Sequence, residues 1–293
     1  MESFLEAFDI FLLEAVLNGI LLGGLLALLA LGLNLIFGVI DVTWICYAEL
    51  VMIGMYGMYW LVQYYGLSYY LAAPLAILLV AGLGAALHFL VIAPLLSSPP
   101  INQLLATGGV LFVLQSFATV AFGIDFRNLG IRLPVLSFAE MHFSYSRLLA
   151  FAAALVGMVV VYFFMKRTYI GTAIRAIAQD RQIMALMGVD AKKIYLVTSA
   201  LGGALAGLAA CLLVLQYDVH PFVGLSFGPI TFLICVLGGL GNFVGGFVAA
   251  FVFAEIISLG GLFSDLEWGY VLAFAFFIVM MFIRPAGLLA RRS

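Results

Sequence analysis

PITFLICVLGGLGNFVGGFVAAFVFAEII, residues 229–257, is an unbroken apolar run after Pro229 except for glycines at 238, 239, 241, 245 and 246, Thr231, Asn242 and Glu255. As a helix rising about 1.5 Å per residue, it is too long for one ordinary crossing of ~30 Å of hydrocarbon and too short for two. Glycine lets a helix break and lets backbones approach. Residues 238–242 therefore read as the tip of a discontinuous element, a re-entrant hairpin that returns to the side it came from. The alternative is that these glycines serve only close helix packing. The choice decides on which side of a membrane the chain finishes.

The rest of the chain puts that choice in a membrane. The 293 residues are 66% hydrophobic and 9% charged, with a mean hydropathy of +1.26, where a soluble domain has about a quarter of its residues charged. Apolar stretches cover 12–38, 45–65, 70–93, 104–122, 148–165, 192–217, 229–257 and 267–283. None alternates apolar and polar as a barrel strand does. The expectation is an all-α polytopic membrane helix bundle of about eight hydrophobic segments, with 1–293 as one domain. The net charge is −2, with no basic patch for nucleic acid. Cys46, Cys211 and Cys235 lie inside apolar segments without paired spacing and read as buried small hydrophobes. The acidic start, MESFLEAFDIFLLEAV, lacks a basic region and a small-residue cleavage site, so no standard signal peptide is expected.

Lysine and arginine set the orientation. Lys166, Arg167, Arg175, Arg181, Lys192 and Lys193 fall between 166 and 193, and Arg284, Arg291 and Arg292 follow the last apolar stretch. Both regions are expected on the cytoplasmic side, which leaves the N-terminus and the loop 123–147 outside. Arg127, Arg132 and Arg147 in that loop go mildly against the rule. The C-terminus can be cytoplasmic only if 229–257 turns back. A second interrupted region, GLNLIFGVIDVTWICYAELVMIG (32–54), carries Gly32, Asn34, Gly38, Asp41, Glu49 and Gly54. Two glycine-interrupted segments, one in each half, point to a transporter built from two related halves.

Several chemistries have no support. No G-x-x-x-x-G-K-[ST] occurs, and His88, His142 and His220 form no metal-ligand motif. Gly224-Leu225-Ser226-Phe227-Gly228 has only the outline of a nucleophile elbow. Among ionisable groups in apolar segments, Glu49 sits in the broken region and reads as a pathway or structural residue. Glu255 reads as one that reaches the interface.

From Thr168 to Val189 the composition changes to good helix formers without proline. The expected helix, over about 168–190, has an apolar stripe of Ile174, Ile177, Ala178, Ala185 and Leu186. Arg175, Gln179, Arg181 and Gln182 give it polar cover, and Gly188 is placed to end it. Such a helix can lie on the membrane, pack on its own domain, or enter a partner's groove.

These residues resemble a known family, the ABC importer permeases that include the branched-chain amino acid permeases, and the first of that system's two permeases in particular. The matching motifs are Gly32-Leu33-Asn34-Leu35-Ile36-Phe37-Gly38, Ala106-Thr107-Gly108-Gly109 with Leu114-Gln115, and Arg175-Ala176 with Ala178, Asp180, Gly188 and Val189. Leu237-Gly238-Gly239-Leu240-Gly241 and Arg284-Pro285-Ala286-Gly287-Leu288 complete the set. Where the family commonly has N-F-A-H-G-E, this chain has Trp44-Ile45-Cys46-Tyr47-Ala48-Glu49, keeping the glutamate but changing the Asn, His and Gly positions. The resemblance implies a permease subunit in a bacterial or archaeal cytoplasmic membrane, binding no cofactor itself. Its partners would be a second, different permease, two ATPases that use ATP and Mg²⁺, and a periplasmic substrate-binding protein. Arg175, Asp180, Arg181 and Gly188 would couple to the ATPases, and Trp44, Tyr47, Glu49, Gly239, Gly241 and Asn242 would belong to the pathway. Branched-chain amino acids are the first expectation for substrate; related systems carry urea, short amides or aromatic acids. The readings from other classes are a self-sufficient secondary transporter or channel, and a membrane-embedded enzyme or structural subunit.

Overall fold

A computed structural model describes residues 2–131, 135–138, 141–180, 184, 187–263, 265–285 and 287–289. Apolar, helix-forming runs become helices: α1 Glu2–Ile40, α2 Tyr47–Gln63, α3 Tyr69–Leu95, α4 Pro100–Phe122, α5 Tyr145–Arg167, α6 Tyr169–Gln179, α7 Ala191–Leu213, α8 Val223–Gly238, α9 Phe243–Phe263 and α10 Leu266–Ile283. Among the described residues, six helices are long and apolar enough to cross a membrane, and α8 and α10 are shorter apolar helices. One antiparallel hairpin, β1 Val135–Phe138 and β2 Met141–Ser144, lies between α4 and α5.

The stretch 229–257 is broken where its glycines stand, but it is not a short hairpin. Its halves belong to two full helices: α8 begins before it, at Val223, and α9 ends after it, at Phe263. The missing length comes from VGLSFG, too rich in glycine to stand out as apolar, and from Ser258–Phe263. Pro229 lies inside α8, where it leaves the Leu225 carbonyl without its helical donor. Each of the other apolar stretches coincides with one helix.

α1 is the hub: it is exposed at Phe11–Leu13 but buried along almost all of Gly23–Ile40. At one end of the bundle Arg147 Nη1 donates to Asn18 Oδ1 (2.8 Å), Ser258 Oγ donates to the Ala15 carbonyl (2.6 Å), and Gln63 Nε2 donates to the Leu129 carbonyl (2.8 Å). At the other end the tail folds back, its Leu288 N–H donating to the Leu237 carbonyl (2.7 Å). The start of α1 and the tail therefore sit at opposite ends, the parity expected from a chain that turns back near 238–242. Lipid tails are as apolar as leucine, so helices in a membrane associate through close packing. α3 and α7 show this: a methyl on Gly84 would lie 2.7 Å from the Ser199 carbonyl oxygen, and one on Gly203 would lie 2.6 Å from that of Val80. His88 lies inside α3, in a π-turn over His88–Ile92, buried beside the Tyr195 ring. The three cysteines are free and buried, and Glu255 is half-buried on α9, facing Gly19 of α1.

Candidate functional site: a cavity at the helix break and an exposed end helix

α1 ends where Asp41 takes a positive φ of 60°, a conformation that a short polar side chain tolerates. The chain then crosses inside the bundle as Val42–Cys46, with Trp44 and Cys46 buried, before α2 starts at Tyr47. α4 is fastened to this crossing by Thr107, whose hydroxyl lies 2.8 Å from the Thr43 carbonyl and 3.0 Å from that of Gln103. One turn further along α2, Glu49 is fully buried. Its place in the first turn suits a negative charge, because the unpaired N–H groups there point toward it. Gln115 Nε2 of α4 donates to Glu49 Oε1 at 3.0 Å, while Glu49 Oε2 has no partner among the described residues.

Trp44, Tyr47, Ala48 and Glu49 line a cavity of about 280 Å³, closed by Leu104 and Leu111 of α4 and by Gly224, Gly228 and Pro229 of α8. The two glycines let α8 come this close: a methyl on Gly224 would lie 2.5 Å from Glu49 Oε1, and one on Gly228 3.2 Å from Ala48 Cβ. Gly224→Ala is accordingly expected to push the Glu49 carboxylate aside and to lower stability by about 1–3 kcal/mol, the usual cost of overpacking. A denaturation midpoint for the purified protein checks it; an unchanged midpoint would mean that α8 retreats freely.

On the other side of the first turns of α8 is a wider recess of about 520 Å³, lined by Phe126, Tyr217, Asp218, His220, Tyr270 and Phe274 among others. It shares Leu225 and Pro229 with the cavity. A clasp borders it: Arg127 and Val219 exchange backbone hydrogen bonds (3.0 and 2.7 Å), Asn128 Nδ2 donates to Asp218 Oδ1 (2.7 Å), and the Phe126 and His220 rings lie 4.6 Å apart. Burial pushes the His220 imidazole below its ordinary value against the smaller opposing pull of Asp218.

The pathway residues expected from sequence thus divide. Trp44, Tyr47 and Glu49 meet at the cavity; Gly239, Gly241 and Asn242 do not line it. They form the α8–α9 turn, with φ of 94° at Gly239 and 78° at Gly241. Asn242 Oδ1 accepts from the Gly245 N–H (3.0 Å), and its Nδ2 donates to the Leu289 carbonyl (3.1 Å). The Gly241 N–H donates to Asn34 Oδ1 of α1 at 3.2 Å. This turn pins α1 and the tail together. Gly224 and Gly228 complete the lining, and Gln115 and Thr107 of α4 hold Glu49 and Thr43 from behind it; none of the four was expected there. Their signals were a glutamine and a threonine in an apolar helix, and glycines one helical turn apart, which ran as Gly224-x-x-x-Gly228 beneath the outline of a nucleophile elbow.

The polar stretch is described as a shorter helix than expected. α6 spans Tyr169–Gln179; the Thr168 hydroxyl accepts from the Gly171 N–H at 3.0 Å, and Asp180 is extended. Residues 181–183, 185 and 186, including Arg181, lie outside the described residues. Gly188 does end a turn: its φ is 80°, and the Val189 N–H reaches back to the Met184 carbonyl (3.1 Å), the closure expected at a helix terminus. Gly171, Ala173, Ile174 and Ile177 are buried, and α6 packs on α5, α1 and α7. Ala178, expected in the apolar stripe, is exposed with Thr172, Arg175, Gln179 and Asp180. One face of α6 thus packs on its own domain and the other stays open. Asp190 begins α7, accepting from the Lys192 N–H (3.0 Å) and pairing with Lys193 (3.7 Å).

Residues 15–281 match the family described as branched-chain amino acid transport system / permease component. The high-affinity branched-chain amino acid transport system permease protein BraD of Pseudomonas aeruginosa is 27% identical over 95% of this chain and 96% of its own length. The corresponding LivH protein of Salmonella typhimurium is 25% identical over 96% of each. Among solved structures, PsaBC from Streptococcus pneumoniae in complex with Fab shares the fold at a TM-score of 0.50 and 15% identity, covering 94% of this chain and 92% of that one. A buried, glycine-lined cavity between broken helices, an exposed end helix and a match along nearly the whole length agree, and the chain belongs to the family of ABC permease components of branched-chain amino acid transport systems.

Proposed function

We propose that this chain is one membrane subunit of an ATP-driven importer for amino acids, with branched-chain amino acids as the leading substrates and urea, short amides or aromatic acids as the alternatives. A binding protein delivers the substrate at the end carrying the 126–130 and 217–220 clasp. The substrate passes the first turns of α8 and leaves at the end where α6 and the tail lie. A second, different permease completes the channel, and separate ATPase subunits bind ATP and Mg²⁺ against the open face of α6. The observation that carries this reading is the family match over 15–281, joined to a cavity lined by Trp44, Tyr47 and Glu49 beside a wider recess. The basic residues around α6 and the tail support a cytoplasmic placement for that end.

The test is uptake into proteoliposomes that contain this chain with candidate second-permease and ATPase subunits, and a candidate binding protein added outside. Accumulation of labelled leucine is expected only with ATP inside. Uptake by this chain alone, driven by an ion gradient and indifferent to ATP, would replace the proposal with a secondary transporter.

A further inference from the structure

The cavity at the helix break is polar in a one-sided way. Two buried polar atoms of its lining residues, Trp44 Nε1 and Glu49 Oε2, have no partner among the described residues; a third, Tyr47 Oη, lies against Gly32 of α1. Buried groups of this kind are normally satisfied, and an orphan costs about 1–3 kcal/mol. Glu49 is not merely held in place, since Gln115 satisfies only one of its oxygens. No lysine, arginine or histidine lines the cavity, and Thr231 already donates to the Phe227 carbonyl (2.7 Å). The remaining walls are apolar, made of Leu33, Leu104, Leu111, Leu225 and Phe232.

Resting on the transport reading above, we propose that Glu49 is a selectivity residue that binds the N–H group of the substrate, so that the permease itself admits small amines and amides with an apolar body and rejects acids that lack nitrogen. Glu49 Oε2 is closed off in this structure, packed toward Gly224. A substrate ammonium or amide N–H meets it once the side chain turns into the cavity, and the hydrogen bond is charge-assisted when either partner is ionised. The indole N–H of Trp44 is a donor for the neighbouring oxygen of the same molecule. A nitrogen-free carboxylate would instead face the Glu49 carboxylate with no cation to offset the repulsion, and a cavity that leaves its own acceptor unpaired rejects such analogues strongly. Of the substrate alternatives, amino acids and short amides satisfy both the acceptor and the apolar walls, urea satisfies the acceptor alone, and aromatic acids without nitrogen do not satisfy the acceptor.

The experiment is ligand binding to the purified full chain in lipid nanodiscs, which requires no ATPase and so stands or falls separately from ATP-driven uptake. The probes are leucine, leucinamide, 4-methylpentanoate (leucine without its amino group) and phenylacetate, read by tryptophan fluorescence, with Trp44→Phe identifying the cavity signal. Leucine and leucinamide are expected to bind, and the two acids to bind about tenfold or more weakly. Glu49→Gln is expected to weaken leucine and leucinamide by a similar factor while the acids gain on them. The comparison of probes on the unaltered chain keeps the test valid if that variant does not fold. Equal binding of leucine and 4-methylpentanoate, unchanged affinity in Glu49→Gln, or no binding of any probe would overturn the proposal. Retained selectivity with active ATP-driven uptake would overturn the role of Glu49 alone and leave the transport reading intact.

Discussion

Arg175→Glu is expected to abolish ATP-driven uptake by the assembled importer while the permease stays folded. α6 is anchored by Ile174 and Ile177, which are buried against the body of the bundle, whereas Arg175 is exposed between them. An exposed charge contributes little to stability, typically ~0–1 kcal/mol even when paired. Reversing it at a docked interface opposes like charges and costs about 2–5 kcal/mol there, a loss of tens to thousands of fold in association. Coupling also needs more than contact, because a partner can drive a conformational change only through contacts that differ between its states. The measurements are co-purification of the ATPases, transport-coupled ATP hydrolysis, and a thermal midpoint as the control for folding. Normal co-purification and normal coupled hydrolysis for both Arg175→Glu and Asp180→Arg would remove α6 from the coupling route.

Gly238→Val is expected to be the most damaging single substitution at the α8–α9 turn. A side chain there would run into the backbone of Gly245 and Gly246, and a methyl on Gly245 would in turn run into the Gly238 carbonyl. Backbone cannot rotate away as a flexible side chain can, so the two helices must separate. Separation also pulls on the Asn34–Gly241 and Leu288–Leu237 hydrogen bonds (3.2 and 2.7 Å). A loss of about 3 kcal/mol or more follows, beyond the common range for overpacking because the clash is with main chain. Gly108→Ala and Gly109→Ala are the controls, since neither position has a neighbour within 4 Å. They should leave the folded yield in detergent unchanged. Equal yields for Gly238→Val and the controls would show that the turn opens without cost.

Much of this was legible in the residues. Composition made the bundle, and the glycines at 238–242 marked a true break. Gly188 was placed to end a helix over 168–190; the helix stops at Gln179, and Gly188 instead closes a separate turn at φ 80°. What failed was length. The residues before 229 hid a helix behind glycine, serine and proline, because hydropathy scores side chains whereas helix length in a membrane follows from the backbone's need to satisfy its own hydrogen bonds. The apolar stripe of α6 was misread at Ala178 because a methyl group is compatible with either face.

The site was legible only in part, for a different reason. Glu49 announced itself, as any carboxylate in an apolar segment does, and Trp44 and Tyr47 came with it through local sequence. Gln115 and Gly224 lie far from Glu49 in the chain and reach it only because α4 and α8 pack on the start of α2. Gly239, Gly241 and Asn242 look from sequence like the counterpart of the first break, yet their hydrogen bonds run to α1 and to the tail rather than to the cavity. The sequence by itself determined that the chain lives in a membrane, where it breaks and which segment stands apart in polarity, because these depend on local composition and backbone freedom. Only the tertiary structure decided that one break encloses a cavity and the other is a clasp, because partners for a buried polar atom are supplied by whichever helix packs across from it.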